Sequence, residues 1–309
     1  MTYNVFDAHC DTMYELITNY PEENIIKNNL QFNLYNIKNF GKCVQVLALW
    51  ANPRYKDMEA KISMERLVKK TVAHLNEYNA DIIKTKSDLL NKEKFGAILG
   101  IEGADSIWSI EDLMYYYEKG IRCITLTWNG SNKIGNGVGS EDKSGLTDFG
   151  KTVIEKMNEL GMAVDLSHLN EAGFYDALKI SKKPVILSHS NAQRICPHRR
   201  NLTDEQFKEV IKNGGVCGIN FGVDFLSESE EADIKTMISH IEHFCSLGGE
   251  KHIGLGSDFD GVEKLPVNIN SNADISLILD ELIKLNYSEE QVKNIAYNNF
   301  ERCFSEIFE

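Results

Sequence analysis

Short apolar segments recur along the chain, and each is followed by a longer segment in which apolar residues return at helical spacing. The short segments lack a clean alternation of apolar and polar residues, which is typical of strands buried on both faces. Each is therefore expected to form a strand of four to eight residues. We identify eight of them: Asn4–His9, Cys43–Trp50, Gly96–Glu102, Cys123–Trp128, Met162–His168, Pro184–His189, Gly215–Phe221 and His252–Asp258.

Helical spacing is clearest in the segments Glu59–Tyr78 and Phe149–Leu160. Capping boxes at Thr203 and Ser288 predict the starts of two further helices. Strands that alternate with helices pair in parallel through right-handed crossovers. Eight such units predict a closed (β/α)8 barrel of the TIM type, with residues 1–309 forming a single catalytic domain. An open, doubly wound sheet is the alternative.

Ionisable residues stand at the ends of five of the predicted strands. In a barrel, the carboxyl ends of the strands form one narrow ring, which is where barrel enzymes carry out their chemistry. Buried charges at so many strand ends are costly unless they are paired or bound to metal. The sequence therefore predicts a metal site built from His9, Asp11, Glu102, His168 and His189, with Asp258 close by.

The spacing of these residues predicts two ions. His9 and Asp11 lie two positions apart on one strand face and are expected to share one ion. His168 and His189 follow neighbouring strands and are expected to share a second, while the two oxygens of Glu102 allow it to bridge. Imidazole and carboxylate ligands favour zinc, with manganese or cobalt as alternatives set by availability.

Two connections exceed the usual loop length and follow strands, so both are expected on the carboxyl face of the barrel. They are 129–146, which is rich in Gly, Ser and Asn, and 259–274. Long loops on this face are usually functional covers.

Composition narrows the possible partners and the compartment. The net charge of −13 disfavours nucleic acid and anionic membranes, since an acidic surface repels both. No run approaches the 18 apolar residues of a membrane span, and the amino terminus lacks the features of a signal peptide. Seven scattered cysteines are typical of reduced, buried thiols. We therefore expect a cytoplasmic protein.

These residues resemble the renal-type membrane dipeptidases, a metallopeptidase branch of the amidohydrolase-like barrels. The likeness runs from Asp7-Ala-His9-Cys-Asp11 to the final helix. Its most specific stretches are Val164-Asp-Leu-Ser-His168, Ser188-His189-Ser190 followed by Arg199-Arg200-Asn201, and Gly254-Leu-Gly-Ser-Asp258-Phe-Asp260-Gly261.

The resemblance implies that one zinc is held by His9, Asp11 and Glu102, and the other by Glu102, His168 and His189. It also implies that Asp258 shuttles a proton and that Arg200 contacts the substrate. The implied reaction is hydrolysis of dipeptides, often with a D-residue at the carboxyl side, by attack of a metal-bridging hydroxide. Homodimers are common in the family.

One position departs from the family pattern. The family's fourth strand motif usually has a histidine after Leu-Thr, where it helps to hold the substrate and the tetrahedral intermediate. Here Leu126-Thr127 is followed by Trp128 and Asn129, and an indole has one donor and cannot become cationic. Either Asn129, Asn132 or the loop replaces that histidine, or the substrate differs. We therefore place Trp128 and Asn129 among the candidate substrate contacts.

Two other functions are compatible with the same residues. One is an N-acyl amino acid or lactam amidohydrolase that uses the same ions. The other is a barrel that binds peptides through its metals without cleaving them, which the presence of Asp258 disfavours.

Overall fold

Eight parallel strands, in sequence order, close into a barrel. The computed structural model describes residues 2–308. The strands are β1 (Val5–Cys10), β2 (Cys43–Trp50), β3 (Phe95–Glu102), β4 (Ile121–Thr125), β5 (Ala163–Asp165), β6 (Ile186–Leu187), β7 (Val216–Ile219) and β8 (Ile253–Leu255). Because β8 pairs with β1, the predicted (β/α)8 fold is confirmed.

Helices alternate with the strands. They are α1 (Thr12–Thr18), α2 (Asp57–Glu77), α3 (Lys86–Leu90), α4 (Ile110–Glu118), α5 (Asp148–Glu159), α6 (Glu171–Ile180), α7 (Asp204–Asn213), α8 (Val223–Leu226), α9 (Ile234–Ser246), α10 (Ile275–Lys284), α11 (Glu289–Lys293) and α12 (Asn299–Ile307). Thr203 and Ser288 cap α7 and α11 through the predicted capping boxes. Within residues 2–308, no helix has the length and apolar character needed to cross a membrane.

Three strands are much shorter than predicted. β5 and β8 have three residues each and β6 has two. The backbone N–H groups of Ser167 and Ser188 donate to Oδ1 of Asp165, at 3.0 and 2.9 Å, instead of extending the strand ladder. A buried carboxylate thus ends the regular pairing of β5 and β6 and fixes the backbone just below the strand ends.

Apolar side chains fill the amino-terminal half of the barrel interior. Every strand from β1 to β7 contributes to this cluster, and α12 closes it from below. The ring of Phe6 stacks on Phe300 and Phe304, with centroids 5.4 and 5.2 Å apart. A β-carbon at Gly254 of β8 would lie 2.5 Å from the Phe300 ring. The interior is therefore a packed floor on which the polar residues of the carboxyl end rest.

The junction between β1 and β8, which closes the barrel, has one ladder pair, Asp7 with Leu255. The buried carboxylate of Asp7 strengthens it by accepting from the N–H of Ser257 at 2.8 Å and from its hydroxyl at 2.5 Å. The N–H of Asp258 donates to the carbonyl of His9 at 3.1 Å. This closing junction runs directly into the carboxyl rim.

Candidate active site

The residues predicted as metal ligands meet at the carboxyl rim of the barrel. Glu102 is the last residue of β3, while His168 and His189 follow β5 and β6 within three residues. All of them are buried, with at most 7% of each residue exposed: His9, Asp11, Glu102, His168 and His189.

Glu102 lies between the three histidines. Its Oε1 is 3.0 Å from Nε2 of His168 and 3.6 Å from Nε2 of His189, and its Oε2 is 3.7 Å from Nε2 of His9. The Nε2 atoms of His168 and His189 are 3.0 Å apart. Oδ2 of Asp11 is 3.5 Å from Nε2 of His9. The structure therefore brings together both predicted ligand sets, with the carboxylate of Glu102 shared between them.

Asp258 stands inside the same cluster. Its Oδ1 is 3.8 Å from Nε2 of His9, and its Oδ2 accepts from Nδ2 of Asn220 at 2.8 Å. His9, Asp11 and Asp258 each offer a ligand atom within 4.8 Å of the others, as do His9, Glu102 and His189. Asp258 is thus placed close to where a metal and its water ligand would sit.

The buried carboxylates of Asp11, Glu102 and Asp258 lie close together, and a bound cation would offset their negative charge. Burial, with the nearby charge of Glu102, raises the pKa of Asp11 to about 8. Burial also raises the pKa of Asp258, against the opposing effect of His9. For Glu102, burial is outweighed by His9 and His168, which hold the pKa of that carboxyl below its ordinary value. Burial therefore disfavours full ionisation of the cluster, and added positive charge would favour it.

The histidines also fit a metal. Burial and the nearby Arg200 lower the pKa of His168 to about 4, and burial lowers the pKa of His189 as well, so both imidazoles are neutral as metal ligands require. Burial would lower the pKa of His9, but Glu102 and Asp11 outweigh it and raise that pKa. Nε2 of His9 is buried without a hydrogen-bond partner. This donor set suits zinc.

A second layer of polar residues orients the histidines, and the sequence reasoning missed it. The hydroxyl of Ser188 lies 2.7 Å from Nδ1 of His189 and 3.3 Å from Nδ1 of His9, and it donates to Oδ2 of Asp165 at 2.6 Å. Thr125 donates to the same Oδ2 at 2.5 Å. Polar residues inside otherwise apolar strand segments were the signal that could have revealed this layer.

A cavity of about 570 Å³ opens above the cluster. The predicted cover at 259–274 contributes Asp260 to Lys264 to its wall, and 129–146 contributes Asn129. Further wall residues are His198 and Arg199, which precede Arg200, and five that the sequence did not single out: Tyr14, Glu15, Trp50, Asp224 and Phe225.

Arg200 lies in the wall of this cavity and is 7% exposed. Its Nη2 donates to the carbonyl of His189 at 3.4 Å, while its Nε has no hydrogen-bond partner. Burial lowers its pKa to about 10, so the guanidinium is a cation at neutral pH. It is a preorganised donor with unused hydrogen-bonding capacity.

Trp128 and Asn129 both line the cavity, but Asn132 does not. The Trp128 ring lies 5.4 Å from the Trp50 ring, edge to face, and 6.0 Å from the His168 ring. Asn129 Oδ1 is 2.9 Å from Nδ1 of His168. Asn132 is turned into its own loop, where Nδ2 donates to the Leu126 carbonyl at 2.9 Å. Asn132 is therefore not placed to replace the family's histidine.

Comparison with known proteins places the chain in a family. Residues 1–309 match the family model described as membrane dipeptidase, peptidase family M19. The chain is 34% identical over 241 residues to an uncharacterized protein in the pqqA 5′ region of Klebsiella pneumoniae, covering 74% of this chain and 87% of that protein. It is 30% identical over 234 residues to dipeptidase 3 of Mus musculus, covering 74% of this chain and 48% of the mouse protein.

A solved structure shares the whole fold. The metallopeptidase of Rhodobacter sphaeroides, crystallised with a phosphinate mimic of the dipeptide L-Ala-D-Ala, superposes with a TM-score of 0.90 at 24% identity, over 100% of both chains. The family match over the full length, together with a rim of metal-ligand residues on a (β/α)8 barrel, identifies this chain as a member of the membrane dipeptidase family, peptidase family M19, and hence as a metal-dependent dipeptidase.

Proposed function

We propose that this dipeptidase works with two divalent ions, held as the resemblance implies. His9, Asp11 and Glu102 would hold one ion, and Glu102, His168 and His189 the other. The observation that carries this proposal is the position of Glu102, whose two oxygens face His9 on one side and His168 and His189 on the other. When bound, such ions polarise a carbonyl and lower the pKa of a water molecule.

The chain's own residues supply the remaining steps. Asp258, whose pKa is raised by burial, accepts the proton of the attacking water and delivers it to the leaving amine. Asn220 holds the other oxygen of Asp258 and so aims the carboxylate. Arg200 donates to the oxygen that becomes negative during attack, or to the substrate carboxylate.

The cavity supports a dipeptide as substrate. Its volume of about 570 Å³ falls within the range of roughly 300–1,000 Å³ that small-molecule sites occupy. Cationic and acidic side chains both line it, which suits a substrate with an ammonium and a carboxylate. The ligand mimicking L-Ala-D-Ala in the Rhodobacter sphaeroides structure supports a D-residue at the carboxyl side. The aromatic wall of Tyr14, Trp50 and Trp128 would contact a side chain.

A substrate panel tests this proposal. Purified protein would be stripped of metal and supplied in turn with zinc, cobalt and manganese. Each form would be assayed on dipeptides with L- or D-residues at the carboxyl side, and on N-acetyl amino acids. We expect cleavage of dipeptides, including L-Ala-D-Ala. Preferential cleavage of N-acetyl amino acids would instead establish the amidohydrolase alternative, and tight peptide binding without turnover would establish the binding protein.

Metal analysis tests the number of ions. We expect close to two divalent ions per chain after gentle purification, and fewer than one would contradict a shared Glu102.

Zinc as the native metal, a homodimer and a cytoplasmic location are also proposals, supported by the ligand types, the family resemblance and the composition. Light scattering during size-exclusion chromatography would test the dimer.

A further inference from the structure

The segment 129–139, which follows β4, contacts His168 in two independent ways. Oδ1 of Asn129 is 2.9 Å from Nδ1 of the imidazole, and the N–H of Val138 donates to the His168 carbonyl at 2.8 Å. The first contact fixes the ring and the second fixes the backbone. Both contacts are made to His168, a predicted metal ligand that lies outside any strand.

The backbone of His168 needs such support. Its φ is +68°, in the left-handed region that non-glycine residues rarely adopt. A residue held in such a conformation persists only when its surroundings determine it. The bond from Val138 supplies part of this constraint.

Within segment 129–139, the backbone folds back closely on Trp128, Asn129 and Gly130. The N–H of Gly137 donates to the Gly130 carbonyl at 2.9 Å, and the N–H of Gly139 donates to the Asn129 carbonyl at 2.8 Å. A β-carbon at Gly137 would clash with the backbone of Trp128 and Asn129. The glycine therefore allows Asn129 to be held firmly against His168.

The amide oxygen of Asn129 determines which nitrogen of His168 carries the proton. An oxygen acceptor 2.9 Å from Nδ1 favours the proton on Nδ1, which leaves the lone pair of Nε2 free. That Nε2 faces Glu102 Oε1 and His189 Nε2, each at 3.0 Å. Metal-binding histidines usually donate their other N–H to a carboxylate, carbonyl or water, and losing that partner weakens metal binding.

We infer that Asn129 is a positioning residue for the metal ligand His168 rather than a substrate contact, and that segment 129–139 is the device that holds it. This inference rests on the proposed two-ion site. It gives the residue beside Trp128, where the sequence departs from the family pattern, a role in metal binding.

The test compares the metal affinity of three variants with that of the wild type. Asn129→Ala removes the acceptor. Ser131→Ala is the matched control, because it removes one side-chain hydrogen bond, to Ser140 at 2.7 Å, from the same segment. Asn129→Asp keeps an acceptor at Nδ1. Each protein would be dialysed against buffers of fixed free zinc, and the bound zinc per chain would be measured by mass spectrometry.

For Asn129→Ala we expect one of the two ions to need about 10–100 times more free zinc, with the other ion unchanged. Asn129→Asp should bind both ions at least as well as the wild type, and Ser131→Ala should match the wild type. A merely structural role would lower the thermal midpoint of Asn129→Ala without changing the zinc affinity of one ion relative to the other.

Equal zinc binding by Asn129→Ala and the wild type, with two ions in each, would overturn this inference alone. Equal weakening in Asn129→Ala and Ser131→Ala would also overturn it. A wild-type protein that binds no second ion would overturn the proposed two-ion site as well.

Discussion

His168 and Asp258 share a backbone conformation that their side chains make costly. Their φ angles are +68° and +60°, and a non-glycine residue in this region costs on the order of 1–3 kcal/mol. His, Asn and Asp tolerate it better than other residues do. Gly261 lets the loop after β8 approach the site closely, because a β-carbon there would clash with the carboxylate of Asp11. At the residue scale, the site is held in place by local strain and close contacts.

Replacing Asp258 by Asn tests the proton shuttle. Asn tolerates the same backbone and keeps an oxygen for Asn220, so the fold and the metal content should persist. Turnover should fall by about 10²–10⁴-fold, since a general acid–base group is lost. The measurements are kcat and metal per chain on the same preparation. Wild-type kcat in a fully metal-loaded variant would remove Asp258 from the mechanism.

The same substitution should stabilise the metal-free protein at neutral pH. Folding raises the pKa of Asp258 above its ordinary value of 3.8, so its ionised carboxylate destabilises the fold at pH 7. The gain from Asn should shrink as the pH falls through the raised pKa of the folded state, and it should vanish below 3.8, where the carboxyl is protonated in the folded and unfolded chain alike. Thermal unfolding of both metal-free proteins at several pH values would measure it.

The strands and helices give the barrel two parts: an apolar floor that stabilises the fold, and a polar rim that holds the candidate active site. The floor is the apolar cluster closed by α12, and the rim is set by where β5, β6 and β8 end. Carboxylate and hydroxyl groups lie between the two and stop the strands early. The reactive side chains are therefore fixed to rigid strand ends, which favours precise ligand geometry.

The substitution Gly254→Ala tests the floor. The added methyl would meet the Phe300 ring at 2.5 Å, and overpacking of this kind costs about 1–3 kcal/mol. Urea unfolding should show the loss. Gly130→Ala is the control, because nothing lies within 4 Å of its β-carbon and its stability should be close to that of the wild type. Equal stability of the two variants would contradict the tight packing of α12.

The fold was predictable at this scale because strands buried on both faces produce short apolar segments that can be recognised in a single sequence. The meeting of His9, Asp11, Glu102, His168 and His189 at the rim was predictable as a group, since their residue types recur at strand ends. Strand lengths were not, because Asp165 takes backbone donors that an apolar pattern cannot anticipate. The contact of Asn129 with His168 depends on how a glycine-rich loop folds back, which no periodic pattern records.

At the scale of the whole molecule, metal binding and stability are coupled. The folded chain concentrates three carboxylates in a buried cluster, so a divalent cation should bind the native state far better than the unfolded one. A ligand present at 100 times its dissociation constant stabilises the native state by about 2.7 kcal/mol. Metal is therefore expected to contribute to folding stability as well as to catalysis.

Chelation should reveal this coupling. Removing metal is expected to lower the thermal midpoint, and adding zinc back should restore it. The variant Glu102→Gln serves as the control, because it lacks the shared carboxylate and should show a much smaller response to zinc. A wild-type midpoint that is unchanged by both chelation and zinc would argue against a buried metal centre.

The closing junction of the barrel has a consequence for how the enzyme fails. β2 and β3 share eight ladder pairs, whereas β1 and β8 share one, as do β5 and β6, and His9 and Asp258 stand on opposite sides of the β1–β8 junction. Parting β1 from β8 would separate Asp258 from His9 and Asp11 while the other seven strand pairings stay intact. Mild urea should therefore inactivate the enzyme reversibly before its helical circular dichroism signal declines, and bound zinc, which would tie the end of β1 to the ends of β3, β5 and β6 through Glu102, should delay that loss.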